Sequence, residues 1–478
     1  MIGRENETKK LLELYRHDQA DLVAIYGRRR VGKTFLVDET FHGEYLFMSS
    51  GLFLEKEKMT PKEMFLAQIN EFYKALKLYG CKERKAPETW FDAFFYLEKL
   101  ILEKENGSKQ VIFLDELPWL DTPSSHFLSA FEGFWNGFAC RKKNLLIIVC
   151  GSAASWMENK LINAQGGLYG RVTYEMKLSP FTLKETKEFL RLQKRIPITD
   201  YDAALAYMSV GGIPFYLNYF EPGKSVVQNV NDIFFKKGTP LRYEYERLFS
   251  VTFTNDALSR KIVEFLFTKK LGYSREDIIH KFSLPDNGGL SKVLNALLAS
   301  DFVTAYTPFG LERKTTYFKL IDPFCLFYLS FVEKKAGDED YWNSHYGKSE
   351  TLAWSGLAYE NLCFNHVSQI KEKLGIRGVA TEVMPWYYQD KEGKGQVDML
   401  IKRGDNAVNL CEIKFYSEDY SAGIEDFKKA NRRKENAYAL LPKRFSVYST
   451  LITTMGLVYN EYASTYQNVV TLEDLCKF

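Results

Sequence analysis

Residues 22–35 read LVAIYGRRRVGKTF, and this stretch decides the fold of the N-terminal part of the chain. The apolar run Leu22 to Tyr26 is typical of a buried strand, and it leads directly into the pattern G-x-x-x-x-G-K-[ST]. Glycines let backbone N–H groups wrap phosphate oxygens, the lysine reaches the β- and γ-phosphates, and the hydroxyl binds Mg²⁺. The stretch therefore predicts a site for ATP and Mg²⁺ made of Gly27, Arg28, Arg29, Arg30, Val31, Gly32, Lys33, Thr34 and Phe35. For the three arginines, a solvated loop is the simpler alternative to a contact with phosphate or nucleic acid.

A second apolar run, Val111 to Leu114, ends in the acidic pair Asp115 and Glu116. Nucleoside triphosphate hydrolysis needs one group beside the metal ion and one that orients the attacking water. We expect Asp115 to hold Mg²⁺ and Glu116 to orient the water. A solvated turn is the alternative, which the phosphate loop upstream disfavours.

Two further polar residues follow later apolar runs. Ser152 comes after Leu145 to Cys150 and either senses the γ-phosphate or caps a helix. Arg171 comes after Gly170 and either stabilises charge in the transition state, from the same or a neighbouring subunit, or forms a surface ion pair. The sequence leaves these alternatives open.

Length and composition indicate a folded chain of several domains. Its 478 residues correspond to about three domains at ~150 residues each. The 64 basic and 61 acidic residues nearly balance, so the net charge gives no general attraction to nucleic acid or membranes. The seven cysteines are scattered without a C-x-x-C pair, which argues against a disulfide framework and a zinc site. No apolar stretch approaches the ~20 residues that span a bilayer, and the N-terminus lacks the apolar region of a signal peptide, so we expect a cytoplasmic protein without a membrane partner.

The pattern of elements changes twice along the chain. From Leu22 to about Leu178, short apolar runs such as Tyr45 to Met48 alternate with helical patterns, which predicts a parallel sheet covered on both faces. The helical patterns predict helices at Pro61 to Leu78 and at Trp90 to Glu103.

The next residues, to about 246, are helical and contain the breaker Gly211 to Pro214, as in a small lid. Three helical patterns between residues 258 and 298, the second of them capped by Ser274, then precede two strand-like runs, an order that resembles a winged helix-turn-helix.

The winged-helix region offers few side chains for DNA. The candidates are Ser291, Lys292 and Asn295 in the recognition helix, and Arg313 and Lys314 in the wing. A rigid spacer or a protein-contact module is an equal alternative to DNA binding. The aromatic residues Phe324, Phe327, Tyr328 and Phe331 are expected to form core rather than a stacking platform for bases.

Residues 396–414 read as a β-hairpin. If its turn centres on Asp405, Asp398 lies opposite Glu412, and the period of two puts Glu412 and Lys414 on one face. Carboxylates can hold Mg²⁺ between a phosphodiester and water, while a lysine positions the nucleophile or stabilises developing charge. The hairpin thus predicts a catalytic site at Asp398, Glu412 and Lys414, with an exposed, solvated hairpin as the alternative.

The N-terminal motifs can be compared together: the phosphate loop, GRENE at 3–7, LDE at 114–116, GS at 151–152, GR at 170–171 and GGIP at 211–214. They resemble those of the archaeal-type ATPase family within the AAA+/STAND group of P-loop NTPases. The resemblance implies that Gly3 and Arg4 lie near the adenine and that the lid closes on the nucleotide through Pro214.

The C-terminal hairpin resembles the PD-(D/E)xK nuclease superfamily, with Asp398, Glu412 and Lys414 as its D…ExK. The sequence predicts one helix before the hairpin, at about Trp354 to Lys373. The resemblance implies that Glu360, on this helix, joins Asp398 and Glu412 as metal ligands. It also implies an additional polar site residue at Gln396. The proline that the family places before the first aspartate is absent here, because Val397 takes its position.

These patterns and resemblances together predict an α/β fold. A P-loop NTPase parallel-sheet domain (1–180) is followed by a helical lid (181–246), a winged helix-turn-helix with its connector (247–347) and a C-terminal α/β restriction-endonuclease-like domain (348–478). The expected function is an ATP-hydrolysing switch or motor coupled to a domain that binds DNA and either cleaves it or does not. The alternative is a signalling or scaffold NTPase with an inactive nuclease-like domain and a winged helix that binds a protein partner. The sequence does not predict the oligomeric state.

Overall fold

The computed structural model describes residues 1–55, 58–163, 166–253, 255–310, 315–335 and 337–477. The predicted wing residues Arg313 and Lys314 lie outside these ranges. The described residues form two compact units, 1–179 with 251–253 and 180–250 with 255–477. Within these ranges, no helix is both long enough and apolar enough to cross a membrane.

The first unit is built on a parallel sheet. In its described residues the sheet has five strands, β1 (Asp21–Tyr26), β2 (Phe47–Ser50), β3 (Gln110–Asp115), β4 (Leu145–Gly151) and β5 (Tyr174–Lys177), in the order β2-β3-β4-β1-β5. Every residue of β1 and β4 is buried, as in parallel strands covered on both faces. The predicted parallel sheet is confirmed. The strand predicted at Tyr45 to Met48 instead runs from Phe47 to Ser50, because the pairing with β3 begins at Phe47 and includes Ser49 and Ser50.

Helices alternate with these strands: α1 (Glu5–Tyr15), α2 (Lys33–Phe41), α3 (Pro61–Leu78), α4 (Trp90–Glu103), α5 (Leu117–Leu120), α6 (Phe127–Gly137) and α7 (Ala154–Trp156). The bounds of α3 and α4 are those predicted, since Thr60 and Thr89 cap them with capping boxes. Helix α6 was not predicted. Its buried phenylalanines pack on α4, with the Phe94 and Phe134 rings 5.1 Å apart.

The second unit begins with helices: α8 (Leu183–Glu188), α9 (Asp200–Val210), α10 (Pro214–Leu217), α11 (Val226–Phe234) and α12 (Glu244–Thr252), of which residues 244–250 belong to this unit. The predicted breaker between α9 and α10 is confirmed. A Cβ atom on Gly212 would lie 1.9 Å from the backbone oxygen of Phe181, and Gly211 has a φ of +69°. Glycine is therefore required at this close approach of two backbone segments.

The middle of this unit has the predicted order of helices and strands. It comprises α13 (Asp256–Phe267), β6 (Tyr273–Ser274), α14 (Arg275–Phe282), α15 (Gly288–Ala299), β7 (Val303–Tyr306) and β8 (Tyr317–Leu320), with the strands in an antiparallel sheet ordered β6-β8-β7. Ser274 caps α14 as predicted, accepting a hydrogen bond from the backbone of Asp277. The two-residue strand β6 was not predicted.

A connector follows, with α16 (Pro323–Phe327), α17 (Glu333–Lys335) and α18 (Tyr341–His345). Phe324, Phe327 and Phe331 are buried, and the Phe327 ring lies 4.9 Å from that of Trp342. These three rings form core, as predicted, whereas Tyr328 is half-buried. Further turns are π-helical (Met157–Ile162, Phe189–Gln193, Tyr328–Val332) or 3₁₀ (Ala139–Arg141, Ala463–Thr465).

The C-terminal part contains a mixed sheet flanked by helices. Its elements are α19 (Ser349–Asn365), α20 (Val367–Lys373), β9 (Thr381–Asp390), β10 (Gly393–Arg403), β11 (Ala407–Lys414), α21 (Ile424–Leu440), β12 (Ser446–Thr453), β13 (Asn468–Thr471) and α22 (Leu472–Lys477). The described strands are ordered β13-β12-β11-β10-β9, antiparallel from β9 to β11 and parallel from β11 to β13. The last two strands and α21 were not predicted.

The single helix predicted at Trp354 to Lys373 is wrong, because His366 separates α19 from α20. The His366 ring is fully buried, its Nδ1 donates to the Leu362 carbonyl (2.8 Å), and its Nε2 accepts from the Leu183 N–H (2.7 Å). Both bonds suit the neutral ring, since Nε2 must stay unprotonated to accept. Burial lowers the pKa of His366 from 6.5 to about 4.

We expect His366 to make the second unit less stable in acid. A histidine with a lowered pKa stabilises the fold above its unfolded pKa, and this stability is lost as the pH falls from 6.5 towards 4. The loss amounts to roughly 3 kcal/mol, at about 1.4 kcal/mol per pKa unit. Urea unfolding of wild type and His366→Gln between these pH values measures this loss of stability, because the glutamine variant has no imidazole to take up a proton.

The exposed His280 on α14 provides the control. His280→Gln should leave the pH dependence of unfolding as in wild type. If the free energy of unfolding fell equally with pH in wild type and in His366→Gln, the prediction would be contradicted.

Candidate functional sites

The predicted phosphate loop connects β1 to α2 through positive φ angles at Gly27 (+140°), Arg30 (+70°) and Gly32 (+91°). A Cβ atom on Gly27 would lie 2.3 Å from the backbone oxygen of Leu178, so this position requires glycine. The loop therefore turns sharply between the end of a buried strand and the N-terminus of a helix. Such a helix N-terminus favours anions through its free N–H groups and its dipole.

Lys33 is buried inside this loop. Its Nζ donates hydrogen bonds to the backbone oxygens of Gly27 (3.0 Å) and Arg28 (2.9 Å). Burial lowers the pKa of Lys33, and the nearby carboxylates of Glu116 and Asp115 oppose that shift. The ammonium group is thus positioned within the curve of the loop.

The two carboxylates at the end of β3 have different partners. Asp115 accepts a hydrogen bond from the Thr34 hydroxyl (2.8 Å), and burial, with Glu116 beside it, raises its pKa. Glu116 has a φ of +46° and accepts from both the backbone N–H (3.0 Å) and the hydroxyl (2.8 Å) of Ser152. The structure therefore brings Lys33, Thr34, Asp115, Glu116 and Ser152 together.

The hydroxyl of Thr34 and the carboxylate of Asp115 are oxygen ligands of the kind that Mg²⁺ prefers. Their direct hydrogen bond places both at the loop that would hold the phosphates. This donor set fits the predicted ion. The Ser152 hydroxyl binds Glu116 and makes no cap to α7, which starts after Ala153.

Arg4 packs under the loop. It is buried, and its Nη2 donates to the backbone oxygens of Val31 (3.1 Å) and Ser179 (2.8 Å). Gly3, directly before it, has a φ of +64°. This segment therefore braces the phosphate loop from within the first unit.

The remaining predicted nucleotide contacts differ in exposure. Arg28 is only 1% exposed, so the solvated-loop alternative is wrong for it, whereas Arg29 and Arg30 are half-buried. Phe35 is 54% exposed on α2, and Arg171 is exposed in a turn before β5. Pro214 begins α10 in the second unit.

The C-terminal hairpin has the predicted register. Met399 pairs with Cys411 and Arg403 with Ala407, so the turn centres on Asp405 and the same register puts Asp398 opposite Glu412. Both carboxylates are buried. The alternative of an exposed, solvated hairpin is therefore wrong, because β9 and β12 flank the strands β10 and β11 on either side.

Asp398 is held by several donors. One oxygen accepts from the Ile413 N–H (3.1 Å), and the other accepts from Gln396 (2.8 Å) and Lys270 (3.2 Å). The Lys270 Nζ also lies 2.6 Å from a carboxylate oxygen of Glu360. Lys270 therefore bridges the two buried carboxylates of Glu360 and Asp398.

Glu412 has its own basic partners. The Lys414 Nζ lies 2.6 Å from one of its oxygens, and Arg433 forms an ion pair with the other. Arg433, on α21, also donates to the Gln396 carbonyl (2.8 Å). The helix after the hairpin thus contributes a buried guanidinium to the site.

Burial and the neighbouring charges shift the pKa values of the acidic and basic groups in this site. Burial, together with the charge of Asp398, raises the pKa of Glu360 to about 7. Burial also opposes the charged forms of Asp398 and Lys270, but their mutual attraction lowers the pKa of Asp398 and raises that of Lys270.

The predicted metal set of Glu360, Asp398 and Glu412 does not fit a divalent cation in this conformation. Across the described residues, no group of three His, Cys, Asp or Glu side chains is arranged to hold a metal ion. The physical reason is that basic side chains already occupy the carboxylate oxygens, Lys270 on the first two and Lys414 with Arg433 on the third.

Two of these basic residues were not predicted. Arg433 lies in the basic run Arg432 to Lys434 of the helix after the hairpin, which was the available signal. Lys270 precedes Asp398 by 128 residues, and no local pattern connects them.

The N-terminal part of the chain matches a known protein family. Residues 1–220 match the family described as an ATPase domain predominantly from Archaea. An uncharacterized protein of Methanocaldococcus jannaschii is 23% identical over 461 residues, which cover 90% of this chain and 94% of the relative. An uncharacterized ATP-binding protein of the same organism is 27% identical over 269 residues, covering 46% of this chain and 70% of the relative.

A solved structure, the Walker-type ATPase of Pyrococcus abyssi, is 21% identical, with a TM-score of 0.44 over 69% of this chain and 96% of that one. The family match coincides with the loop of Gly27 to Thr34, the acidic pair after β3 and the parallel sheet. Residues 1–220 therefore resemble the ATPase domains of a family found predominantly in Archaea.

Proposed function

We propose that this protein is an ATP-driven switch that hydrolyses ATP with Mg²⁺ and acts on DNA through its second unit. The observation that carries the proposal is the pair of contacts at the end of β3. Thr34 binds Asp115 beside the phosphate loop, and Ser152 fixes Glu116 next to it. These contacts provide the separate metal-binding and water-orienting carboxylates that phosphoryl transfer requires.

In the proposed reaction, Lys33 binds the β- and γ-phosphates, while Thr34 and Asp115 hold Mg²⁺. The ion, when bound, neutralises charge on the phosphate oxygens. Glu116 orients a water molecule in line with the γ-phosphate. Arg171, from the same or a neighbouring subunit, stabilises the charge that develops.

Recognition of the rest of the nucleotide is assigned to other residues. We assign Gly3 and Arg4 to the adenine side, and Pro214 to a lid that closes over the nucleotide. Both assignments follow the resemblance to the ATPase family.

The DNA-directed part of the proposal rests on two features of the second unit. The helices α13, α14 and α15 with the sheet β6-β8-β7 resemble a winged helix, and α15 buries Leu290, Leu294 and Leu297 while exposing Lys292 and Asn295. Such an exposed polar face is what a recognition helix presents to DNA.

The second feature is the pair β10 and β11, which carries Asp398, Glu412 and Lys414 in the order of a D…ExK site. Asp398 and Glu412 are buried in a mixed sheet, and the half-buried Lys414 lies 2.6 Å from Glu412. We therefore propose a nuclease-like domain, whose cleavage of DNA depends on a change in the contacts of its carboxylates.

The test is a cleavage assay on plasmid, linear and single-stranded DNA with Mg²⁺ or Mn²⁺, with and without ATP. We expect cleavage by wild type in the presence of ATP, and its loss in Glu412→Gln and in Lys33→Ala. The Glu412 variant identifies the nuclease site, and the Lys33 variant shows that nucleotide controls it. Cleavage that survives Glu412→Gln would indicate a contaminating nuclease and contradict the proposal.

A second candidate function is a signalling or scaffold ATPase whose C-terminal domain does not cut. The observation that favours it is the occupation of the carboxylates by Lys270, Lys414 and Arg433. ATP turnover without cleavage of any DNA in the panel, for wild type and for variants of Lys270, would favour this function over the first.

A further inference from the structure

Lys270 reaches the carboxylate site from a rigid turn. The turn joins α13 to β6, and the Gly272 N–H donates to the Lys269 carbonyl (2.7 Å). The Tyr306 hydroxyl, on β7, donates to the Leu271 carbonyl (2.7 Å). A Cβ atom on Gly272 would lie 1.8 Å from the backbone oxygen of Phe318, so the turn is packed directly on β8. The backbone at Lys270 is thus held by contacts of its turn with β7 and β8.

A second lysine of the segment 256–320 contacts the same helix. Lys319, on β8, is buried and donates to the side-chain oxygen of Asn361, the residue after Glu360. Burial lowers the pKa of Lys319 to about 8. The segment therefore places two lysines against α19 at the position of Glu360.

The Lys270 ammonium uses the oxygens that a metal ion would need. It lies 2.6 Å from Glu360 and 3.2 Å from Asp398, where a divalent cation bound by both residues would also have to lie. The three carboxylates of the site are already paired with the basic groups of Lys270, Lys414 and Arg433. A divalent cation would meet the positive charge of these groups, to which the buried Lys319 adds, and would compete for the same space.

We propose that Lys270 is an autoinhibitory cation, which keeps divalent metal ions out of the site of Glu360, Asp398 and Glu412 as long as it bridges Glu360 and Asp398. This inference rests on the proposed nuclease-like function of the site. Removal of the ammonium leaves two buried carboxylates without their shared partner, so that a metal ion from solution can take its place.

The experiment measures Mn²⁺ binding to the nucleotide-free full chain by the loss of the free Mn²⁺ EPR signal. We expect Lys270→Ala to bind one Mn²⁺ at least tenfold more tightly than wild type. The matched control is Lys269→Ala, which removes the exposed neighbouring lysine and should bind Mn²⁺ as wild type does. The double variant Lys270→Ala with Asp398→Asn should lose the increased affinity for Mn²⁺.

A second variant and a second measurement guard against misfolding. Lys270→Gln keeps a hydrogen-bond donor without the charge, and saturating Mn²⁺ should raise its Tm by several degrees more than the Tm of wild type. Mn²⁺ binding by wild type as tight as by both Lys270 variants would overturn the proposal, as would no gain in folded Lys270→Ala and Lys270→Gln.

Cleavage assays on the same proteins separate this inference from the proposed function. Tighter Mn²⁺ binding together with DNA cleavage by Lys270→Ala would support both. Tighter Mn²⁺ binding without cleavage of any DNA would support the role of Lys270 and refute the nuclease function.

Discussion

We expect Glu116→Gln to lower the rate of ATP hydrolysis by about 100-fold or more, and to leave the affinity for ATP within about threefold of wild type. The glutamine keeps the size of the side chain and an oxygen that accepts from the Ser152 N–H, but it lacks the charge that we propose orients water. The loss therefore falls on the chemical step rather than on binding. Phosphate release and titration with a fluorescent ATP analogue measure the two quantities separately.

Ser152→Ala is the matched control for this variant. It removes the hydroxyl that donates to Glu116 (2.8 Å) but keeps the backbone N–H bond and the carboxylate. We expect the rate to change by less than about fivefold, since one neutral hydrogen bond contributes about 1 kcal/mol. Hydrolysis by Glu116→Gln at the wild-type rate would show that another residue orients the water.

Gly27→Ala is expected to weaken ATP binding by more than about tenfold and to lower the free energy of unfolding of the first unit by roughly 2–4 kcal/mol. The new Cβ atom would lie 2.3 Å from the Leu178 oxygen, and the Leu178 N–H is itself bonded to the Tyr26 carbonyl (2.7 Å). Two hydrogen-bonded backbone segments would have to separate at the start of the phosphate loop. Isothermal titration with ATP and denaturant unfolding measure the two effects.

The comparison for this variant is Gly43→Ala. Gly43 also has a positive φ (+69°), but a Cβ atom there would meet nothing within 4 Å. Gly43→Ala should lower the free energy of unfolding by only about 1 kcal/mol, because of the backbone conformation, and should leave the ATP affinity unchanged. Equal effects of the two substitutions would show that the contact with Leu178 is unimportant.

The phosphate loop and its acidic pair were predictable because their signals are local. Strand β1, the loop and α2 are consecutive, and Asp115 and Glu116 end a strand of the same parallel sheet. Parallel strands bring their carboxyl ends to one edge, so the strand pattern alone predicts that these groups meet. The hairpin register was predictable for a similar reason, since a short turn fixes the pairing of the two strands it joins.

The partners of the C-terminal carboxylates were not predictable in this way. Lys270 acts on Asp398 across 128 residues, and its position depends on how the segment 256–320 packs within the second unit. The break at His366 was missed because the helical pattern continues through it, while the buried bond to Leu183 depends on a contact 183 residues away. Periodicity reports which face of an element is apolar and does not report which distant element covers it.

The bond between His366 and Leu183 has a mechanical consequence. It fastens the N-terminus of α8 to the end of α19, and the Tyr201 ring of α9 stacks 4.9 Å from Phe415, the residue directly after Lys414. The helices that follow the parallel-sheet unit in the chain are thus clamped to the sheet that carries the D…ExK residues. Because this hydrogen bond and this ring contact join α8 and α9 to the sheet, a rotation of either helix would also rotate the sheet.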